Sequence, residues 1–297
     1  MVAAAADDPI TRGEYLLRAG ACESCHTDIE HGGAFLAGGR GLKTEFGTFH
    51  APNITPDPDT GLGRWSLEDF RRAMRDGTRP DGSPYYPVFP YRWYTGMTDQ
   101  DIADLWAYLQ AVPAVENVAP PHDLPFPFTI RWLVAGWKLI NFSRGETVSD
   151  PAQPAQWNRG AYLVNHVSHC GACHTPTILG NFIASRFLGG SAQIPGILPA
   201  PNITPDLATG IGAWSRADVV RALKRAMFPD GSPIVGSMAE YVHFGSAFMT
   251  DADLEAIAAY LATVEPVVNE VRDDADKATA RPHGSSPGVK SLMISGG

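Results

Sequence analysis

The sequence is written twice. Cys22-Glu23-Ser24-Cys25-His26 returns 148 residues later as Cys170-Gly171-Ala172-Cys173-His174. Ala51-Pro52-Asn53-Ile54-Thr55-Pro56-Asp57 returns at a spacing of 149 as Ala200-Pro201-Asn202-Ile203-Thr204-Pro205-Asp206. Trp65-Ser66 and Asp81-Gly82-Ser83-Pro84 recur at that same spacing as Trp214-Ser215 and Asp230-Gly231-Ser232-Pro233. Arg12-Gly13-Glu14-Tyr15-Leu16 pairs with Arg159-Gly160-Ala161-Tyr162-Leu163, and Ala107-Tyr108-Leu109 with Ala259-Tyr260-Leu261. Six collinear matches exclude chance. So long a period means a duplicated domain, and 297 residues suit two small domains. The expected division is a first domain over 1–118, a linker over 119–150, a second domain over 151–268 and a disordered tail over 269–297.

Each copy reads as helices joined by Gly- and Pro-rich turns, which predicts an all-α pair of domains. A first helix, from Arg12 to about Ala21 or from Arg159 to about Ser168, runs into the cysteines. A second starts at Ser66 or Ser215 with Asp69 or Asp218 three residues on, the capping-box spacing. A third starts at Thr98 or Thr250, with Asp101 or Asp253 in the same relation. It continues with Ile102, Leu105, Trp106 and Leu109, or Leu254, Ile257, Ala258 and Leu261, at helical spacing. So few helices give a thin core. A large apolar prosthetic group would fill it.

The cysteines say which group. All four lie inside the two Cys-x-x-Cys-His motifs, so none remains for a structural disulfide. Two thiols on one helical turn can each add to a vinyl group of one porphyrin, and the adjacent His26 or His174 then faces the iron. Structural zinc would need four ligands, and neither copy offers a second pair at short range. Two covalent haem c groups, on Cys22/Cys25 and Cys170/Cys173, are the expectation.

The sixth iron position separates a carrier from a reactive haem. In the second copy Met238 lies in a Gly-Ser-Met-Ala-Glu stretch before the last helix and is the expected distal ligand. In the first copy the same offset gives Phe89, which cannot bind iron. Met97 is the expected substitute there, with five-coordinate iron or His50 as alternatives. Met97 also precedes an N-cap and can staple against Ile102, as Met249 can against Leu254. His31, His166, His169 and His243 read as surface or loop residues. Asn53 and Asn202, each in a Pro-Asn-Ile-Thr-Pro turn, either bond haem propionates or only hold the turn.

A formal charge of −9 makes nucleic acid and anionic membranes poor partners and a basic docking patch a better one. No apolar run of 18 residues occurs, so no helix spans a membrane. Met1 followed by Val2 and four alanines looks like a start residue on a processed terminus, and an exported, periplasmic protein is the expectation. Residues 126–142, with Trp132 and Trp137, predict an apolar helix over 129–142. It either packs across the seam between domains or meets a partner subunit or membrane interface.

With these motifs placed, residues 10 to 265 resemble the diheme cytochrome c subunits of periplasmic alcohol, gluconate and aldehyde dehydrogenases. The resemblance rests on both Cys-x-x-Cys-His sites, both Ala-Pro-Asn-Ile-Thr-Pro-Asp turns, the Thr-Gly-x-Gly-x-Trp-Ser stretches, Tyr86-Pro87-Val88-Phe89-Pro90-Tyr91 and Gly236-Ser237-Met238-Ala239-Glu240. It implies two class I cytochrome c domains that take electrons from a partner dehydrogenase and pass them towards quinone or an oxidase. Many such relatives carry three haems, and often Met where Phe89 stands. Two readings compete with the carrier: a diheme enzyme of the peroxidase or thiosulfate dehydrogenase kind, with an open distal site at the first haem, and a gas-sensing haem.

Overall fold

The helices that open at Asp8, Ser66, Thr98, Ser215 and Thr250 begin where a side chain accepts from their first amides. In a computed structural model, residues 8–178, 180–192 and 199–271 are described. The Asp8 carboxylate accepts from the amides of Ile10 and Thr11 at 3.3 and 3.0 Å and opens α1 (Pro9–Ala19). Then come α2 (Cys22–His26), the hairpin β1 (Gly41–Thr44) and β2 (Gly47–His50), α3 (Leu67–Asp76), α4 (Tyr91–Tyr94) and α5 (Asp99–Ala111). Ser66 and Asp69 exchange hydrogen bonds as a full capping box ahead of α3. The second copy repeats the order. It has α7 (Ala155–Tyr162), a π-helical turn (Leu163–Val167), α8 (Gly171–His174), the hairpin β3 (Thr177–Ile178) and β4 (Asn181–Phe182), α9 (Arg216–Arg225), α10 (Gly236–Phe244) and α11 (Asp251–Leu261). Ser215 and Asp218 make its capping box.

Two expectations need adjustment here. The architecture is mainly helical but carries two antiparallel hairpins, pairing Leu42 with Phe49 and Thr177 with Phe182. Strands of two to four residues are too short to show an alternating pattern. The first helix of the second copy starts at Ala155, ahead of Arg159. Most of the expected tail lies outside the described residues.

Between the copies, α6 (Leu133–Asn141) is shorter than the 129–142 helix expected. Lys138 donates to the carbonyls of Asp76 and Gly77 at the C-terminal end of α3, where a cation is favoured. Phe142 packs edge-on to Tyr91, with ring centroids 5.3 Å apart. The opposite face of α6 is bare: Leu139 is 88% exposed and Ile140 85%.

Within each copy the first and last helices cross at a glycine. A Cβ on Gly13 would stand 2.0 Å from the Asp104 carbonyl oxygen, and one on Gly160 1.9 Å from that of Ala256. One apolar core then runs through both copies and includes Leu16, Leu17, Ile102, Leu163, Leu254 and Ile257.

The copies are latched by a bond made twice. Tyr15 of α1 donates to the Asp253 carboxylate of α11 at 2.6 Å, and Tyr162 of α7 donates to Asp101 of α5. Each phenol oxygen also accepts the amide of the facing N-cap, Thr250 at 3.3 Å and Thr98 at 3.1 Å. Asp101 and Asp253 were expected to close capping boxes. The Thr98 and Thr250 hydroxyls do accept their amides, but both carboxylates turn to the other copy's tyrosine. Burial pushes Tyr15 up to about 12, and the phenol stays a donor.

Gly160→Ala is expected to lose about 1–3 kcal/mol in urea unfolding, because the crossing has no room for a methyl group. Gly136→Ala in α6, with nothing within 4 Å of its Cβ, is the control. It should be neutral or gain up to about 1 kcal/mol.

Candidate functional site

Each Cys-x-x-Cys-His motif is delivered by a sharp turn. Ala21 and His169, the residues before Cys22 and Cys170, adopt left-handed backbone with φ of 49° and 39°. Such non-glycine residues cost about 1–2 kcal/mol and persist only where the surroundings impose them. Here they break the incoming helix so that α2 or α8 starts afresh on the cysteines. Sequence reasoning missed both, because neither residue type signals a positive φ.

The two motif histidines are held in the same way. His26 Nδ1 lies 2.8 Å from the Pro52 carbonyl and His174 Nδ1 2.8 Å from that of Pro201. A carbonyl only accepts, so Nδ1 carries the proton and Nε2 is left with its lone pair free. Burial lowers both imidazole pKa values, against an opposing pull from the carbonyl. These rings are held neutral, the form that binds iron. The role of Pro52 and Pro201 explains why the Ala-Pro-Asn-Ile-Thr-Pro-Asp turns recur with the motifs.

The four cysteines form no disulfide and are half-buried. Burial pushes Cys22 and Cys170 up to about 12 and Cys173 to about 11, and raises Cys25. Structural zinc takes four ligands, whereas each motif offers two thiols and one imidazole. Among the described residues no three His, Cys, Asp or Glu side chains converge on one point. The chemistry of the donor set fits covalent haem better than zinc.

Asn53 and Asn202 are turn holders. The Asn53 amide donates to Thr60 Oγ1 at 2.9 Å and the Val115 carbonyl at 2.7 Å, and its oxygen accepts from the Thr55 amide and hydroxyl at 2.9 and 2.8 Å. Asn202 makes the matching bonds to Thr209, Val267 and Thr204. Both are buried, at 3% and 2% exposure, with two donors and two acceptor positions all engaged. Nothing is left for a propionate, so the structure favours the second of the two readings.

The distal candidates separate. Tyr85 and Ile234 make the same amide bond, to Gly77 and Ala226, each at 2.8 Å, so Phe89 and Met238 both stand four residues beyond a shared register point. Met238 lies in the first turn of α10, not in a loop, and is half-buried. Phe89 joins an aromatic group with Tyr85 and Tyr94, at centroid distances of 5.2 and 5.7 Å. Met97 is 2% exposed and Met249 1%. Both precede a Thr cap, and both carbonyls accept from a cation in the last turn of the capping-box helix, Arg75 of α3 at 2.6 Å and Lys224 of α9 at 2.7 Å. That equivalence favours the stapling alternative for Met97. His50 is tied to the linker, with Nδ1 3.0 Å from the Pro121 carbonyl.

Each copy also covers the other's motif. Trp93 of α4 packs on Gly171, whose Cβ would come 2.3 Å from the indole, and its carbonyl meets His166 Nδ1 at 2.9 Å. Tyr241 of α10 donates to the Ala19 carbonyl at 3.3 Å. Arg40 donates to the Ser24 carbonyl inside the first motif and makes a bidentate pair with Glu240, two residues after Met238. His166 and His169 thus lie at the seam and not in surface loops. Contacts between residues 70 to 220 apart leave no local signal.

The cytochrome c family profile matches residues 10–113 and 158–265, one match on each copy. The chain belongs to the cytochrome c family. Its cytochrome c domains bind two covalent haem c groups. The chain is 41% identical over 261 residues to a diheme cytochrome c-type protein of Cereibacter sphaeroides, covering 86% of both. It is 40% identical to the fructose dehydrogenase cytochrome subunit of Gluconobacter japonicus and 36% identical to the gluconate 2-dehydrogenase cytochrome c subunit of Pantoea cypripedii. Those alignments take in 86% and 87% of this cytochrome but only 52% and 61% of the two subunits.

Asn202→Ala should destabilise the cytochrome by about 1–3 kcal/mol, since buried partners lose their bonds. Its haem absorption spectrum should be that of the parent; a changed spectrum would return Asn202 to the haem contacts.

Proposed function

We propose that this cytochrome carries single electrons in the periplasm, from a partner dehydrogenase to a quinone, an oxidase or another acceptor. The observation that carries this reading is the pair of neutral imidazoles, each with Nδ1 engaged by a proline carbonyl and each next in sequence to two cysteines that form no disulfide. In it, Cys22, Cys25, Cys170 and Cys173 form the thioethers, and His26 and His174 are the proximal ligands. Met238 is the distal ligand of the second haem and raises its potential relative to two imidazoles. The haem irons supply reversible one-electron chemistry. The protein sets each potential through ligand and burial and fixes the geometry. The names of the fructose, gluconate and alcohol dehydrogenase cytochrome subunits support a dehydrogenase donor.

Residues 126–142 supply the contact surface for that subunit. Trp132, Leu133, Leu139 and Ile140 face outward, while both basic side chains of the segment turn inward, Arg131 to the Pro84 carbonyl and Lys138 to α3. An outer face that is apolar and not cationic suits a protein better than an anionic bilayer. Among the described residues no helix is long and apolar enough to cross a membrane.

A second reading rests on Phe89. With an aromatic ring in the place of Met238, the first haem keeps an open distal side, as a diheme enzyme or gas-binding protein requires.

Intact mass of periplasm-matured protein should exceed the polypeptide by two haem groups, and a bare mass or bound zinc would end the carrier reading. Met238→Ala should lower one midpoint potential and admit carbon monoxide at that haem. An unchanged redox titration removes Met238 as a ligand. Met97→Ala should cost about 2–5 kcal/mol of stability as a core truncation and leave both potentials in place; a lowered potential would make Met97 the first haem's ligand. Carbon monoxide binding by the unaltered ferrous protein at one haem would favour the second reading.

A further inference from the structure

The two copies meet at the residues that lead into their motifs. Ser168 Oγ donates to the Ala19 carbonyl at 3.1 Å, and a Cβ on Gly20 would lie 3.3 Å from the Val167 carbonyl oxygen. Residues 19–20 stand just ahead of Cys22, and residues 167–168 just ahead of Cys170. The seam therefore presses one attachment segment against the other.

One pair of rings lies across this contact. Tyr94, at the end of α4 in the first copy, is 6% exposed. Its ring meets that of His169 edge-on, with centroids 5.4 Å apart. His169 immediately precedes Cys170 and is held in left-handed backbone, which turns its side chain away from the helical path. The corresponding residue of the first copy is Ala21, which has no ring to offer. Tyr94 also packs on Phe89, with ring centroids 5.7 Å apart, at the position that corresponds to Met238. The Tyr94 ring thus packs both on Phe89 of the first copy and on His169, the residue ahead of the second motif.

We propose that Tyr94 and His169 form the packed bridge through which electrons pass between the two haem sites. Tunnelling weakens steeply with distance and is poorer across a void than across atoms in contact, and two rings at packing distance leave no void. In the transfer one electron leaves a ferrous site and reduces the ferric site in the other copy. Neither ring is oxidised, no bond is made or broken and no proton moves. Tyr94 and His169 are positioning residues, not ligands. The proposal rests on haem attachment at Cys22/Cys25 and Cys170/Cys173.

The test uses the mature two-haem protein, with pulse radiolysis to inject one electron and optical detection of its redistribution between the sites. His169→Ala and Tyr94→Leu should slow redistribution severalfold, with both midpoint potentials and both haem spectra unchanged. His169→Phe and Tyr94→Phe keep the rings and should restore the parent rate, which a loss of general stability would not predict. Parent-like redistribution in His169→Ala or Tyr94→Leu overturns the bridge, as does equal slowing in the ring-preserving variants. Should His169→Ala fail to mature, Tyr94→Leu against Tyr94→Phe makes the same decision. Failure of the attachment reading would show separately, as missing haem mass.

Discussion

A buried phenol donating to a carboxylate at the start of a helix, made once in each direction, holds the two copies of this cytochrome together. Tyr15 on Asp253 and Tyr162 on Asp101 combine two favourable features: a carboxylate acceptor and a location near the positive end of a helix dipole. Because each phenol oxygen also accepts a facing N-cap amide, the bond fixes where α5 and α11 begin as well as how the copies face each other. The glycine crossings at Gly13 and Gly160 set the distance of the first helices from the last. Together they leave the seam little freedom to slide.

That constraint explains why the motifs are covered crosswise. With the first helices latched to the opposite last helices, the segment ahead of each last helix has nowhere to go but over the neighbouring motif. In the first copy this segment is the single turn α4, which brings Trp93 and Tyr94 against the second motif. In the second copy it is α10, nine residues long, which brings Tyr241 and Glu240 against the first. The duplication is thus symmetric in its latch and asymmetric in what lies over the haem sites. Met238 on α10 and Phe89 ahead of α4, which stand at equivalent register points, are part of that asymmetry.

What the two copies share is a histidine that presents Nδ1 to a proline carbonyl. Each turn is held in turn by an asparagine whose amide is fully engaged inside the protein. Side chains that a motif search would place on the cofactor instead hold the backbone that orients the ligand. Their value to function is positional.

Much of this was legible from residue order alone. The duplication, the haem motifs and the N-caps at Ser66, Thr98, Ser215 and Thr250 depend on spacings within a few residues, which a sequence displays directly. The hairpins were too short to show a period, and the left-handed Ala21 and His169 carry no compositional mark. The roles of Asp101, Asp253, Met97 and Asn53 were ambiguous for a different reason. A carboxylate at the third helical position, a methionine ahead of a cap and an asparagine in a turn each fit two jobs equally well. Only the folded chain chose between them, because the deciding partners stand dozens to hundreds of residues away, and contacts at that separation are set by how helices pack, not by any pattern along the chain.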